Sequence, residues 1–328
     1  MTPNGRTSDE RRPTAEDLQR LFLGLPPRYT RREIASAAGI PQELAERIWR
    51  ALGFATLADD AVAFTDADLQ ALLRIRTILD AGLLDEVTLI RMTRALGRTT
   101  ARLAQWQTEI MIGAMLDQSP TDADLARVLR AAELLLPDFE LTLVHVWRAQ
   151  LAATASRQLA LTENASSTTL AVGFADLVSF TRVSRELDEL ALADLVEGFE
   201  ARASDVVAQH GGRLVKTLGD EVLFTATDAE TAARMTLDLV DALGQGDPGV
   251  RIGLAYGPVL PVMGDVFGTT VNLAARLTAI ARPGSVVADS ALAESVTGLA
   301  GIEVVKIRRR PARGLGLVQP YVLRRGPA

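Results

Sequence analysis

Leu214-Val215-Lys216-Thr217-Leu218-Gly219-Asp220-Glu221-Val222-Leu223-Phe224-Thr225 decides the fold of the second half of this chain. Two β-type runs, 214–218 and 222–225, flank a Gly-Asp turn, the pattern of a tight hairpin. Gly211-Gly212 precedes it as a turn signal, and residues 192–210 before that carry apolar positions at helical spacing. A short β-type run, 169–175, lies further upstream. Beyond the hairpin, residues 228–243 read as a helix, 250–259 as a strand punctuated by Gly and Pro, and 270–280 as a helix. Strands near 285–288, 302–307 and 320–323 follow. Helices mixed with antiparallel turns predict an α+β domain of roughly 160 residues.

Upstream of the polar stretch 162–168 the periodicity is helical only. Leu18, Leu21 and Phe22, then Leu69, Leu72, Leu73, Ile75 and Leu79, then Leu125, Val128, Leu129 and Ala132 mark successive amphipathic helices. Thr30, Thr65 and Ser119-Pro120-Thr121 are start signals, and Pro41 suits a first turn. Seven or more helices are expected. The boundaries read as a disordered tail over 1–14, a helical regulatory domain over 15–137, a connecting helix and linker over 138–167, and an α+β domain over 168–328.

The 328 residues carry 35 Lys and Arg against 41 Asp and Glu, a net charge of −6. That balance lacks the basic excess of a dedicated nucleic-acid binder. With no Cys, disulfides, thiol nucleophiles and Cys-ligated metals are excluded. No signal peptide or membrane span is visible, so the chain reads as cytoplasmic. Among the basic residues only Lys216 and Lys306 are lysines, and Asn occurs only at positions 4, 164 and 272. A composition that has replaced nearly every Lys and Asn draws attention to Lys216 and Asn272.

Three clusters carry chemistry. Asp176 ends a strand and is followed by Leu177-Val178-Ser179-Phe180-Thr181, whose successive N–H groups would open a helix beside the carboxylate and cradle a phosphate. Alone, Asp176 reads equally well as a helix cap. Asp220, at the hairpin tip, is alone an ordinary turn residue. Together, two carboxylates on adjacent strand ends can hold two divalent ions for in-line displacement at phosphorus. In the third cluster Asp265 lies in a loop, and Asn272 and Arg276, four apart, share one face of the following helix.

Phe174-Ala175-Asp176-Leu177-Val178-Ser179-Phe180-Thr181, Lys216-Thr217-Leu218-Gly219-Asp220 and the segment from Asp265 to Arg276 resemble, in order and spacing, the signature segments of the class III adenylate/guanylate cyclase catalytic domain. The resemblance covers about residues 166–325 and implies a ferredoxin-like βαββαβ core, working as a head-to-tail homodimer with active sites at the interface. It implies two metal ions, Mg²⁺ or Mn²⁺, at Asp176, Leu177 and Asp220, with the nucleotide's phosphates on Val178, Ser179, Phe180 and Thr181. Lys216 and Asp265 would select the base, Asn272 would orient the nucleotide and Arg276 would stabilise the transition state. One subunit would give the metal residues and the other the remaining four. Arg313, before Gly314, resembles a triphosphate-contacting basic residue.

Residue chemistry agrees that the base is adenine. A Lys ammonium only donates and suits N1, while a carboxylate only accepts and suits the N6 amine; guanine reverses both groups. The expected reaction is conversion of ATP to 3′,5′-cyclic AMP and pyrophosphate, one ion activating the ribose 3′-hydroxyl and the second holding the β- and γ-phosphates.

The helical half also resembles the regulatory domain of some actinobacterial class III cyclases, which implies an autoinhibitory, pH-responsive module and an associated fatty-acid cavity. His145, on the connecting helix, is the candidate pH-sensing group. The run from Tyr29 to Phe54 has a helix–turn–helix cadence, but Gln42, Glu43 and Glu46 occupy its recognition positions and argue against DNA. Two rival readings stay open: a non-catalytic nucleotide-sensing or DNA-binding regulator, and a diguanylate cyclase suggested by Gly219-Asp220-Glu221, whose defining turn the flanking Leu218 and Val222 lack.

Overall fold

The computed structural model describes residues 12–55, 58–115, 121–162, 168–244, 248–262 and 264–327. Most of the expected tail, the Ser119-Pro120 helix start and the linker at 163–167 lie outside them. Contacts divide the chain into two units, Met1–Thr154 and Ala155–Ala328.

Among its described residues the first unit is built of helices, α1 (Ala15–Leu23), α2 (Arg31–Ala38), α3 (Gln42–Leu52), α4 (Asp66–Asp80), α5 (Glu86–Met115) and α6 (Asp122–Thr162), the last running past the unit boundary, with one isolated bridge between Tyr29 and Phe64. Thr14, Thr30 and Thr65 each close a capping box, with Asp17, Glu33 and Asp68, satisfying N–H groups that a helix start leaves open. Pro41 is the N-cap of α3, one residue before the first-turn position expected of it. The core joins Ile34, Ile48 and Leu72, all fully buried, with Trp49 and Ile90. At Gly97 of α5 a Cβ would collide with the Leu52 backbone, so glycine permits the close crossing of α3 and α5.

Among the described residues six helices stand where seven or more were expected. α6 runs through Pro137 and across the boundary expected at 137/138 between the helical domain and the connecting helix. Proline there removes one N–H and crowds the preceding turn. Its neighbours Ala131, Ala132, Glu133, Leu134, Leu135 and Leu136 are strong helix formers, and the helix carries on past it.

The second unit opens with β1 (Thr168–Leu177), α7 (Phe180–Glu186), α8 (Glu189–Gln209), β2 (Arg213–Thr217), β3 (Glu221–Ala226), α9 (Ala229–Leu243) and β4 (Val250–Val262). β5 (Asp265–Phe267), α10 (Thr269–Ile280), β6 (Val286–Ala288), α11 (Ser290–Val296), β7 (Ile302–Lys306), β8 (Arg310–Ala312), β9 (Gly316–Val318) and β10 (Tyr321–Arg325) complete it. The main sheet has the order β2-β3-β1-β4-β6-β10-β7. Its first four strands, paired antiparallel with one another, give the ferredoxin-like βαββαβ arrangement that the resemblance implies. β6 adds parallel to β4, β5 folds back on the far end of β4, and β8–β9 form a separate hairpin.

Strand alternation gives the sheet two apolar faces. Val222, Phe224, Ile252 and Leu254 meet α8, α9 and α11 through Phe199, Met235, Leu239 and Leu292. Val172, Phe174, Leu223 and Ala255 meet α10 through Ala274 and Leu277. A Cβ on Gly253 would strike the backbone N of Thr278, so this glycine lets α10 lie close against β4. The interior is thereby filled on both sides, and polar chemistry is confined to strand ends and edges.

Candidate active site

Asp176 is the next-to-last residue of β1, and its neighbours are set by register. It lies opposite Glu221 of β3 on one side and Arg251 of β4 on the other. Directly paired antiparallel residues point to the same face, so Glu221, Asp176 and Arg251 form a row across three strands on the α10 side. The Asp176 side chain is 13% exposed, and the Arg251 guanidinium reaches its Oδ2 at 2.5 and 2.6 Å. Asp220 sits at the hairpin turn after Gly219, which takes φ +73°, and its carbonyl accepts from Leu177 N–H at 2.9 Å. That bond ties the hairpin tip to the end of β1.

Burial and crowding make this a strained set of acids. Desolvation raises the Asp176 carboxyl above its ordinary range, with Asp220 adding to the rise and Arg251 opposing it. Glu221 is pushed up to about 7, first by burial, then by Asp176 and Asp220, against the pull of Arg251. Oxygen donors with excess negative charge suit a hard divalent cation. Among the described residues no group of three or more His, Cys, Asp or Glu is arranged to hold a metal by itself. Asp176 and Asp220 would therefore share an ion with other oxygens, such as backbone carbonyls and phosphates, and the buried Leu177 side chain leaves its carbonyl as the only donor that residue can offer.

The expected phosphate cradle is smaller than five residues. Leu177 N–H goes to Asp220, and Val178 N–H donates to the Gly249 carbonyl at 2.8 Å. Ser179, Phe180 and Thr181 remain at the start of α7, which has no side-chain cap. Ser179 takes φ 59°, the left-handed region, and is the single non-glycine residue with positive φ among the described residues.

Lys216 and Asp265 meet directly, Nζ to Oδ2 at 2.5 Å, from β2 and β5. The second carboxylate oxygen accepts from Val266 N–H at 2.8 Å. Burial acts to raise the Asp265 pKa, but Lys216, the Val266 N–H and the nearby Arg213 outweigh it, and the carboxyl lies below its usual range. A fixed ammonium beside a fixed carboxylate presents one donor and one acceptor side by side.

Asn272 and Arg276 lie on the exposed face of α10, opposite the buried Ala274 and Leu277. Among the described residues no hydrogen bond or ion pair joins either side chain to the Asp176 cluster. The chain alone thus brings together Asp176, Leu177 and Asp220, and separately Lys216 and Asp265, and leaves Asn272 and Arg276 facing outward. Arg313 is exposed in the β8–β9 turn, and His145 is exposed on α6.

Sequence reading missed Arg251 and undervalued Glu221. Both owe their place to cross-strand register, which a single sequence signals only through the alternation that puts them in phase with Asp176. In the helical unit, α2 and α3 do form the turn-linked pair that the helix–turn–helix cadence suggests, joined through Gly39 at φ 65°. Arg31 pairs with Glu46 and Asp59, and Arg47 with Glu86, so both arginines are engaged within the unit. A cavity of about 300 Å³ in this unit is lined by Trp49, Phe54 and Phe64 together with Arg31, Glu46 and Arg50, a mixed rather than wholly apolar wall.

Comparison with known proteins agrees with this architecture. Residues 162–324 match the adenylate and guanylate cyclase catalytic domain, and residues 12–153 match the adenylate cyclase regulatory domain. An adenylate cyclase of Streptomyces coelicolor is 44% identical over 95% of this chain and 90% of its own length. A pH-sensitive adenylate cyclase of Mycobacterium tuberculosis is 31% identical over 88% of this chain and 77% of its own. Among solved structures, the adenylyl cyclase CyaB from P. aeruginosa is 23% identical with a TM-score of 0.44, covering 48% of this chain and 94% of that one. With both domains matched in order and identity extending over nearly the whole chain, the protein belongs to the class III adenylate cyclases that join a helical regulatory domain to a cyclase catalytic domain.

Proposed function

We propose that the protein converts ATP to 3′,5′-cyclic AMP and pyrophosphate in the cytoplasm. The Lys216–Asp265 pair carries the reading: its donor and acceptor match N1 and the N6 amine of adenine, and guanine in the same place would leave these half-buried polar groups unpaired. The adenylate cyclases of similar sequence support the same choice.

Asp176 and Asp220 would hold two Mg²⁺ or Mn²⁺ ions, with the carbonyl of Leu177 as a further oxygen. Bound there, the ions would supply Lewis acidity toward the ribose 3′-oxygen and the phosphates. The N–H groups of Ser179, Phe180 and Thr181 would receive phosphate oxygens. Arg251, which neutralises Asp176 in the metal-free chain, would be released toward the triphosphate once a cation takes over that charge. Arg276 would meet charge developing about the α-phosphorus and Asn272 would orient the ribose, both from a second subunit. Their outward position on α10 supports that division, as does the presence of every motif residue in one chain.

The helical unit would restrain the catalytic dimer. Restraint by pH is favoured by the pH-sensitive relative, and His145, exposed on α6, would be the residue involved. DNA binding has no support from α3, whose outward positions include Glu43.

The test is chromatographic detection of product from the purified protein with Mn²⁺ and either ATP or GTP, from about pH 5.5 to 8, where His titrates. Cyclic AMP from ATP in large excess over cyclic GMP from GTP is expected. Equal use of both nucleotides would overturn the base-reading argument, and no product from residues 155–328 alone would overturn the enzyme reading. Deleting residues 1–154 should raise specific activity; unchanged activity at every pH would dismiss the restraint.

A further inference from the structure

We propose that Arg213 is a positioning residue for base recognition, gripping the turn that carries Asp265 so that the Lys216–Asp265 pair is held in the geometry that accepts adenine. The inference rests on the reading of that pair given above.

The pairing of β2 with β3 carries it. Arg213 pairs with Thr225 and Leu214 with Phe224, but Lys216 pairs with Leu223, so Val215 is an extra residue and β2 carries a bulge. In a regular ladder Lys216 would pair with Val222 and point to the face covered by α8 and α9. The bulge turns it to the opposite face with Leu223, the α10 side. Thr225 has the same phase as Leu223, so Arg213 projects from that face as well.

Two cations three residues apart are thereby brought side by side against two consecutive residues of the β4–β5 turn. Arg213 Nη2 donates to the carbonyl of Gly264, and Lys216 Nζ donates to the carboxylate of Asp265. Gly264 has φ +83°, a conformation a side chain would strain, and the atom nearest to a Cβ built there is Arg213 Nη2 at 3.8 Å. The carboxylate is then held from three directions: Lys216 on one oxygen, the Val266 N–H on the other, and Arg213 through the preceding carbonyl. Without Arg213, the Gly264 carbonyl loses its side-chain anchor, and Asp265 is placed by the β4–β5 pairing and the Val266 N–H alone. Adenine recognition demands that acceptor at one place, because a guanine that shifts slightly can satisfy a mobile carboxylate with its own N–H groups.

The full-length chain carrying Arg213→Ala, and separately Arg213→Lys, is assayed with ATP and with GTP, resolving kcat and KM for each nucleotide. For Arg213→Ala the ATP-to-GTP ratio of kcat/KM is expected to fall about tenfold, the size of one weakened polar contact in a discriminating site. The loss should fall on KM for ATP more than on kcat, and Arg213→Lys, which keeps a donor, should recover part of the ratio. Proportional loss with both nucleotides, or no change, would overturn the proposal. Asp265→Ala run in parallel separates the two levels of argument. If it moves the ratio while Arg213→Ala does not, Arg213 has no positioning role; if Asp265→Ala leaves the ratio unchanged, the base-reading assignment itself is wrong. Thermal unfolding of each variant confirms that the exposed Arg213 is not required for folding.

Discussion

Ser179 holds the αL conformation between the end of β1 and α7, a place where an L side chain crowds its own carbonyl. Glycine would relieve that crowding at the cost of a more flexible unfolded chain. Ser179→Gly should therefore leave stability unchanged or raise it by up to about 1 kcal/mol, and Ser179→Val should lower it, since a β-branched residue suits positive φ least. Denaturant unfolding of the two variants checks this; a Gly variant distinctly less stable than the parent would mean that the Ser hydroxyl holds the turn. The sequence offered this position as one of several phosphate-facing N–H groups and gave no sign of its backbone strain. Lys216, by contrast, was legible as an oddity of composition, one of two lysines among 35 basic residues, and Asp265 as its partner through the resemblance to class III cyclases, with which residue chemistry agreed.

At the scale of elements, the row Glu221–Asp176–Arg251 puts two acids and one cation on three neighbouring strands, one charge short of neutrality even before Asp220 is counted. Glu221 responds by holding its proton up to about pH 7, where a free Glu releases it near 4.5. The folded state thus binds a proton that the unfolded chain gives up. The stability from that group is complete below pH 4.5 and is lost as pH rises toward 7. In metal-free protein the melting temperature should fall over that interval, and Glu221→Gln, which cannot ionise, should flatten the fall and melt higher than the parent at pH 8. Parallel profiles for the two proteins would show that Glu221 does not set the slope. The hairpin that carries this acid was readable from Gly219-Asp220 and the alternation on either side, and the helices from their periodicity. The β2 bulge was not, because one extra residue within a hairpin leaves the apolar alternation readable in either register, and the row across β3, β1 and β4 was not, because pairing between strands distant in sequence leaves no local trace. α6 differs in another way: it runs unbroken across the domain boundary expected at 137/138, because the helix formers before Pro137 carry the helix past it.

At the scale of the molecule, the residues proposed to hold metal, Asp176 and Asp220, and those proposed to meet the transition state, Asn272 and Arg276, lie in separate parts of one chain. Asp176 is buried in a cross-strand ion pair, whereas Asn272 and Arg276 stand on the outer face of α10 with no described partner to order them. An exposed arginine contributes little to folding, so Arg276→Ala should leave thermal unfolding unchanged. It should nonetheless lower kcat about 100-fold or more, the usual consequence of removing a preorganised charge from a transition state. Asp176→Ala should be equally inactive for a different reason, loss of a metal carboxylate. If one chain supplies the acids and the other supplies Arg276, a mixed dimer of these two inactive proteins contains one site with both defects and one with neither. Mixing them in equal amounts and allowing subunits to exchange should restore roughly a quarter of parental activity, because half of the dimers are mixed and each has one of its two sites intact. The restored activity should saturate with total protein concentration as dimers form. Activity that stays at the level of the separate variants, under conditions where exchange is verified by differently tagged chains, would place all the residues of a site within a single chain.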